Sequence, residues 1–379
     1  MIYLDNSATT KPHVEVVESY RQVSEKFFGN PSSVHNLGIE AERLLNKARQ
    51  QAATLLGVFD TEIVFTSGGT EGNNTAIKGI ALAHQNRGKH IITSQIEHPS
   101  VLEACESLES IGFSVTYLPV NRDGVISIDD VKEAITDETI LISIMHVNNE
   151  LGTVQPIEQI ADIAELYPKL FFHVDHVQGF GKIPLDLKHN GIDLCTISGH
   201  KIHGLKGTGL LYVKKNTKLF PLLHGGGQEM GYRSGTENLA GIVSLVKAIR
   251  LSVENINYNR EKIASLNKIV RNGIEKVPGT VINTPKDHAL HIVNFSVPGL
   301  KPEVVINALA NRNIYISTKS ACSSKRPDES AILAACGLDK EIRESGLRVS
   351  ISYGNIEEEI ESFCSILKEV VKQLSEVMG

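Results

Sequence analysis

The chain has 379 residues, 41% of them hydrophobic, with a formal net charge of −6 and a pI near 6.2. It can bury a large core and a smaller one. The acidic balance argues against an extended nucleic-acid interface, no apolar run reaches membrane-spanning length, and Met1-Ile2-Tyr3-Leu4-Asp5-Asn6 lacks the basic and apolar regions of a secretory signal; a cytoplasmic location is expected.

The first strand expected is Glu62–Thr66, running into Thr66-Ser67-Gly68-Gly69-Thr70-Glu71-Gly72-Asn73-Asn74 and a helix over Thr70–His84. Glycines admit a ligand close to the backbone, and a helix start offers unpaired N–H groups. The segment reads as a phosphate cradle or as a Gly-rich turn capped by Thr70. Strands His90–Ser94 and Ser114–Leu118 follow, with Glu97-His98-Pro99-Ser100 between them. A histidine at a strand end can stack on a planar ring, move protons or simply cap the next helix. Strand Ile140–His146 leads into Val147-Asn148-Asn149-Glu150-Leu151-Gly152, where paired asparagines suit an oxygen-bearing ligand or an Asx turn.

After a helix over Pro156–Leu166, strand Leu170–Val174 leads into His173-Val174-Asp175-His176-Val177-Gln178. A carboxylate ending an apolar strand is costly unless paired; Asp175 would meet a protonated pyridine nitrogen or an Arg or Lys. Strand Leu194–Ser198 opens Ile197-Ser198-Gly199-His200-Lys201-Ile202-His203-Gly204. Lys201, among small residues, is either a desolvated amine able to form an imine or a surface lysine. Lys206 is a nearby rival in what reads as a plain loop. Strand Gly209–Val213 closes the series.

This alternation predicts an α/β fold with a mainly parallel sheet, its ligand groups at the carboxyl ends of the strands. Residues 240–275 read as a long charged helix joining two domains. Strands Ile292–Ser296, Ile314–Ser317 and Leu347–Ser352, a helix from Pro302 and a last helix from about Ile356 then form a smaller α+β domain. The expected division is 1–253 and 254–379, with the extreme N-terminal segment packing on the second unit.

Cysteines stand at 105, 195, 322, 336 and 364, an odd number without a C-x-x-C. Neither a disulfide framework nor a zinc site is expected; Cys105 and Cys195 read as core thiols. Lys201 follows Asp175 by about 25 residues on the next strand end. With the upstream Gly-Thr cradle and the intervening His98, the pair describes a pyridoxal phosphate site: a Schiff-base lysine, an acid on the pyridine nitrogen and a phosphate at a helix start.

Nearly end to end, the chain resembles the cysteine desulfurases of the NifS/IscS type, class V aminotransferases among the fold-type I pyridoxal-phosphate enzymes. The resemblance rests on Tyr3-Leu4-Asp5-Asn6-Ser7-Ala8-Thr9-Thr10, Phe28-Gly29-Asn30-Pro31-Ser32-Ser33, Met145-His146-Val147-Asn148-Asn149-Glu150, Ser198-Gly199-His200-Lys201, His224-Gly225-Gly226-Gly227-Gln228-Glu229, Arg233-Ser234-Gly235-Thr236 and Ser320-Ala321-Cys322-Ser323-Ser324. It implies that Lys201 holds the cofactor, His98 stacks on its ring and assists proton transfer, Asp175 pairs with the ring nitrogen and Gln178 contacts the ring hydroxyl. Gly69, Thr70, Ser198 and His200 would bind the phosphate, and Thr236 the phosphate of a second subunit in a homodimer. Asn149 and Arg348 would hold the carboxylate of L-cysteine.

Cys322 would be the nucleophile that takes the sulfur as a persulfide, leaving alanine. Thr318–Arg326, small, polar and basic, suits a mobile loop with a lowered thiol pKa. No resident metal is implied, although Cys322 could transiently ligate an iron–sulfur cluster. The persulfide would pass to an acceptor for tRNA thiolation or iron–sulfur cluster assembly. Alternatives are a selenocysteine lyase, an aminotransferase, which has no need of Cys322, and a non-catalytic sulfur carrier. Two departures stand out. His176 replaces a small alanine, which bears on the ring face or on proton handling. The longer C-terminal tail that docks an iron–sulfur scaffold in housekeeping members is absent, leaving room for another acceptor such as a tRNA-thiolating enzyme.

Overall fold

The computed structural model describes residues 1–189, 191–318 and 329–378. Its centre is a seven-stranded sheet of β2 (Ile63–Thr66), β3 (His90–Ser94), β4 (Ser114–Leu118), β5 (Thr139–Met145), β6 (Phe171–Asp175), β7 (Leu194–Ser198) and β8 (Gly209–Val213), in the order β2-β8-β7-β6-β5-β3-β4. All pairings are parallel except those of β8, which is antiparallel to both β2 and β7. Two reversals cancel, so β2 ends on the same side as β7. Most strand residues are buried on both faces, which is why these strands read as unbroken apolar runs.

Helices cover both faces. α1 (Val14–Lys26) and α2 (Asn36–Leu56) pack with α7 (Leu239–Glu254) over Ile63, Phe65, Ile197 and Leu210. α3 (Gly69–His84) and α4 (Pro99–Glu109) share a core with Val64, Ile91, Leu141 and Leu211, while α5 (Ile128–Ala134) and α6 (Ile157–Glu165) contribute to a third cluster around Ile142, Phe172 and Val174. α1 and α2 carry no sequence expectation. Only a narrow stripe of each is buried (Val16 and Val23; Ala41, Leu45, Ala48 and Ala52).

The single long helix expected over 240–275 is two helices. α8 (Ile256–Glu275) starts after Asn255, whose φ/ψ of −109°/12° leaves the helical region. The break lets α7 stay on the large sheet while α8 turns to pack against α12 (Glu357–Met378). Around α8 and α12 lie β9 (Val281–Ile282), β10 (Ile292–Ser296) and β12 (Gly346–Ser350) in an antiparallel sheet ordered β12-β10-β9, with α9 (Pro302–Ala310), α10 (Ala331–Ala335) and α11 (Lys340–Glu344). β1 (Ile2–Tyr3) pairs in parallel with β11 (Ile314–Tyr315). Leu4 accordingly sits in the apolar cluster built from residues 263–371. Among the described residues no helix is long and apolar enough to cross a membrane.

Candidate active site

A cavity of about 230 Å³ opens at the carboxyl ends of β5, β6 and β7, walled by the start of α3, the N-terminal segment and Arg348 of β12. Gly69, Thr70, His98, Asn149, Asp175, Gln178, Ser198, His200, Lys201 and Arg348, all singled out from sequence, line it. Segments as far apart as Ser7 and Arg348 meet there, and the strand-end loops among them meet because parallel strands deliver their following loops to one edge.

Lys201 ends a 3-10 turn after β7 and is half-buried. Its Nζ donates to the backbone carbonyls of Ser7 and Ala8, the latter at 2.8 Å. The plain surface-lysine reading fits Lys206 instead, which is exposed. Lys182 braces the turn from behind, donating to Lys201 O at 3.2 Å and Gln178 O at 3.4 Å. Burial brings its ammonium down to about 8.

Asp175 closes β6. Its Oδ2 accepts from Asn73 Nδ2 at 2.7 Å and its Oδ1 from Val177 N at 3.0 Å. Among the described residues it forms no ion pair with an Arg or Lys. Asn73 Nδ2 also reaches Ser100 Oγ at 2.9 Å, and Ser100 Oγ lies 2.8 Å from His98 Nδ1. His98 both lines the cavity and caps α4, accepting from Ser100 N at 3.1 Å. Burial holds its imidazole below the usual range, opposed by the charge of Asp175. Behind it Glu97 is fully buried. Its Oε1 accepts from Ser94 Oγ at 2.6 Å and Met145 N at 3.0 Å, tying β3 to β5, and burial pushes its carboxyl up to about 8.

At one end of the cavity α3 presents its N-terminus. Gly68 precedes it at φ 151°, ψ −173°, a region open essentially to glycine. Thr70 lies inside the first turn, so the capped-turn reading fails; Gly68 occupies the cap position. Ser198 and His200 face this end, and burial brings His200 to about 4, leaving a neutral ring. At the opposite end Arg348, 1% exposed, donates to Asn149 O at 2.7 Å. The asparagine pair divides the two readings. Asn148 Oδ1 accepts from Glu150 N and Leu151 N in an Asx-type turn, while Asn149 lines the cavity.

Three expectations fall elsewhere. Thr236 is exposed and does not line this cavity. His176 does not line the cavity: it is turned into the interior, its Nδ1 2.8 Å from His146 Nδ1 with the two rings stacked at 4.8 Å. Cys322 and most of its loop lie outside the described residues. Cys105 and Cys195 are buried on α4 and β7. Ser7, Ala8, Asn73 and Ser100 carry no site expectation although they line the cavity.

Pyridoxal phosphate fits these residues. Six buried polar atoms in the cavity wall have no hydrogen-bond partner among the described residues: Ser7 Oγ, Asn73 Oδ1, Asn149 Oδ1, Gln178 Oε1, Ser198 Oγ and Arg348 Nε. Orphans of this kind cost free energy unless a ligand meets them. A helix start with small residues suits a phosphate, Asp175 a cationic ring nitrogen and Lys201 an aldehyde.

The family model described as aminotransferase class-V matches residues 2–363. A cysteine desulfurase IscS from Methanosarcina thermophila is 45% identical over 374 residues, spanning 98% of this chain and 92% of that protein. A solved NifS-like protein superposes with a TM-score of 0.93 at 36% identity, covering 98% of this chain and 99% of its own. A solved structure of SspA in complex with cysteine gives 0.82 at 38% identity, covering 93% and 99%.

Proposed function

Since the chain belongs to the class-V aminotransferase family and is a pyridoxal-phosphate-dependent cysteine desulfurase, we propose a division of labour among its own residues. Lys201 holds the cofactor covalently and moves protons at its Nζ. Asp175 keeps the ring nitrogen protonated, Gln178 meets the ring hydroxyl, and His98 covers the ring and exchanges a proton. Gly69, Thr70, Ser198 and His200 take the phosphate. Arg348 and Asn149 take the carboxylate of L-cysteine. The single observation that carries this reading is the set of six polar atoms, unpartnered among the described residues, around one cavity containing Lys201, Asp175 and Arg348.

When bound, the cofactor supplies an electron sink that weakens the substrate's carbon–sulfur bond. The Cys322 thiolate then bonds to the substrate sulfur as that carbon–sulfur bond breaks. The proton of the departing sulfur ends on carbon, leaving alanine, and Cys322 retains the persulfide.

We further propose a cytoplasmic homodimer in which Thr236 serves the partner's phosphate. Thr236 is exposed and away from its own cavity. Its loop is nevertheless firmly seated: Glu229 accepts from Arg49 at 2.6 Å and from Phe65 N at 2.8 Å, and Arg233 donates to Glu71 at 2.9 Å. Large apolar side chains are exposed nearby on α1, the α1–α2 connection and the 220–230 loop (Val14, Phe28, Val34, Leu223 and Met230), a surface suited to a second copy. The division 1–253 and 254–379 is supported by the separate apolar cluster of residues 263–371 and the break at Asn255. The sulfur would pass to a protein acceptor for tRNA thiolation or iron–sulfur cluster assembly.

Visible absorbance and persulfide mass test the reading together. The purified protein should carry a band that shifts on adding cysteine and is lost in Lys201→Ala. Cys322→Ala should keep the band and its shift but form no persulfide and release no alanine. Full sulfur transfer by Cys322→Ala would overturn it.

A further inference from the structure

We propose that Asn73 and Ser100 are positioning residues that join Asp175 to His98 through a hydrogen-bond chain whose donations diverge from the Asn73 amide, and that this chain fixes His98 as the tautomer with its proton on Nε2. The direction follows from donor inventory alone. A carboxylate only accepts, so the Asn73 atom 2.7 Å from Asp175 Oδ2 is the amide nitrogen. Flipping the amide would set its carbonyl oxygen against the carboxylate. The Oδ1 left over has no partner among the described residues.

The amide has two hydrogens. One goes to Asp175 and the other to Ser100 Oγ at 2.9 Å. The serine hydroxyl therefore accepts on that side and keeps its own proton to give, and His98 Nδ1 stands 2.8 Å away. Ser100 N–H points at the same ring nitrogen at 3.1 Å. With two donors converging on it, Nδ1 must present a lone pair, so the ring proton resides on Nε2.

Three elements supply the chain: α3 gives Asn73, α4 gives Ser100 and β6 gives Asp175. Donors on the Nδ1 lone pair favour the neutral ring, and burial works in the same direction. The residue at the cofactor's ring nitrogen and the residue over its face thus share one network. Proton exchange at His98 then begins as donation from Nε2. That use of the proton rests on the role given to His98 above; the tautomer does not.

The test is a two-bond proton–nitrogen correlation on the full-length holoenzyme carrying isotope-labelled histidine, with His98→Gln to assign the signal. Wild type should show an unprotonated Nδ1 and a protonated Nε2. Ser100→Ala removes one of the two donors and cuts the chain; the His98 pKa should rise by about 1 unit, a tenfold change in its protonation equilibrium. Ser100→Thr keeps the hydroxyl and should restore the wild-type value. Asp175, Lys201 and Glu103, the charged groups acting on His98, are unchanged in both variants. A protonated Nδ1 in wild type would overturn the proposal, and so would an unshifted His98 in a folded Ser100→Ala. If Ser100→Ala fails to fold, the wild-type tautomer decides alone. An inactive enzyme with the expected tautomer would instead count against the catalytic use of His98.

Discussion

Arg348 Nη2 lies 3.0 Å from Asp5 Oδ1 and donates to Ser317 Oγ at 2.8 Å. A guanidinium that is 1% exposed is thus balanced by a carboxylate from the start of the chain, while its Nε has no partner among the described residues. Both Nη nitrogens are held by the protein, and Nε is the donor left facing a ligand.

Arg348→Lys should therefore raise the KM for cysteine about tenfold or more, because one ammonium cannot hold Asp5, Ser317 and the Asn149 carbonyl and still present a donor to the substrate. Stability should fall as well, since a buried pair loses one of its donors. Steady-state kinetics and chemical denaturation check both. An unchanged KM would place the substrate carboxylate elsewhere.

Asp175→Asn should lower kcat by about 10²-fold while changing KM little. The fold should tolerate it. Asn73 can turn its free Oδ1 toward the new amide, so the melting temperature should move only slightly. Wild-type kcat would remove the ring-nitrogen role.

Gly72→Ala should loosen the phosphate end of the cavity. A Cβ there would meet Thr196 Cγ2 at 2.6 Å, forcing α3 away from β7. Overpacking of this kind costs about 1–3 kcal/mol. It also separates Gly69 and Thr70 from Ser198. Calorimetry should show a lower melting temperature, and dialysis should strip the visible band faster than from wild type. Equal retention would mean that α3 has room to shift.

Stability should fall as pH drops below 6.5. Burial brings His173 to about 3 and His203 to about 4, and pushes His176 and His291 down as well. Above 6.5 these rings are neutral whether the chain is folded or not. Below it the unfolded chain takes up protons first, so stability is lost progressively toward the folded pKa values. Each ring contributes up to about 1.4 kcal/mol per pH unit. His173→Gln can still meet Ser143 and Thr196, the present partners of His173 at 2.8 and 2.9 Å, and should flatten the slope by one proton. Denaturation midpoints that do not change with acidification would contradict this.

The central strands of the large sheet were legible because burial on both faces leaves a plain apolar run; β3, β7 and β8 fall where the sequence places them, as does the more exposed edge strand β4. Lys201 and Asp175 were legible because costly groups at strand ends demand partners. What stayed hidden has no side-chain signature. The carbonyls of Ser7 and Ala8 belong to the backbone, and the Asn73–Asp175 bond spans 102 residues. His176 departs from the family pattern, yet only packing against His146 shows which way it turns. The break at Asn255 depends on two helices having different neighbours, which helical periodicity does not encode.

The segment at residues 2–10 is shared between both ends of the molecule: β1 pairs with β11, Asn6 N donates to Ser350 O, and Ser7 and Ala8 hold the Lys201 amine. During synthesis this stretch leaves the ribosome early but must wait for residues near 350 before it can settle. A nascent chain therefore lacks the anchor for its lysine until residues near 350 have been made, which ties coenzyme capture to their synthesis. A bulky fusion ahead of Met1 would be felt at the lysine before it was felt anywhere in the large sheet.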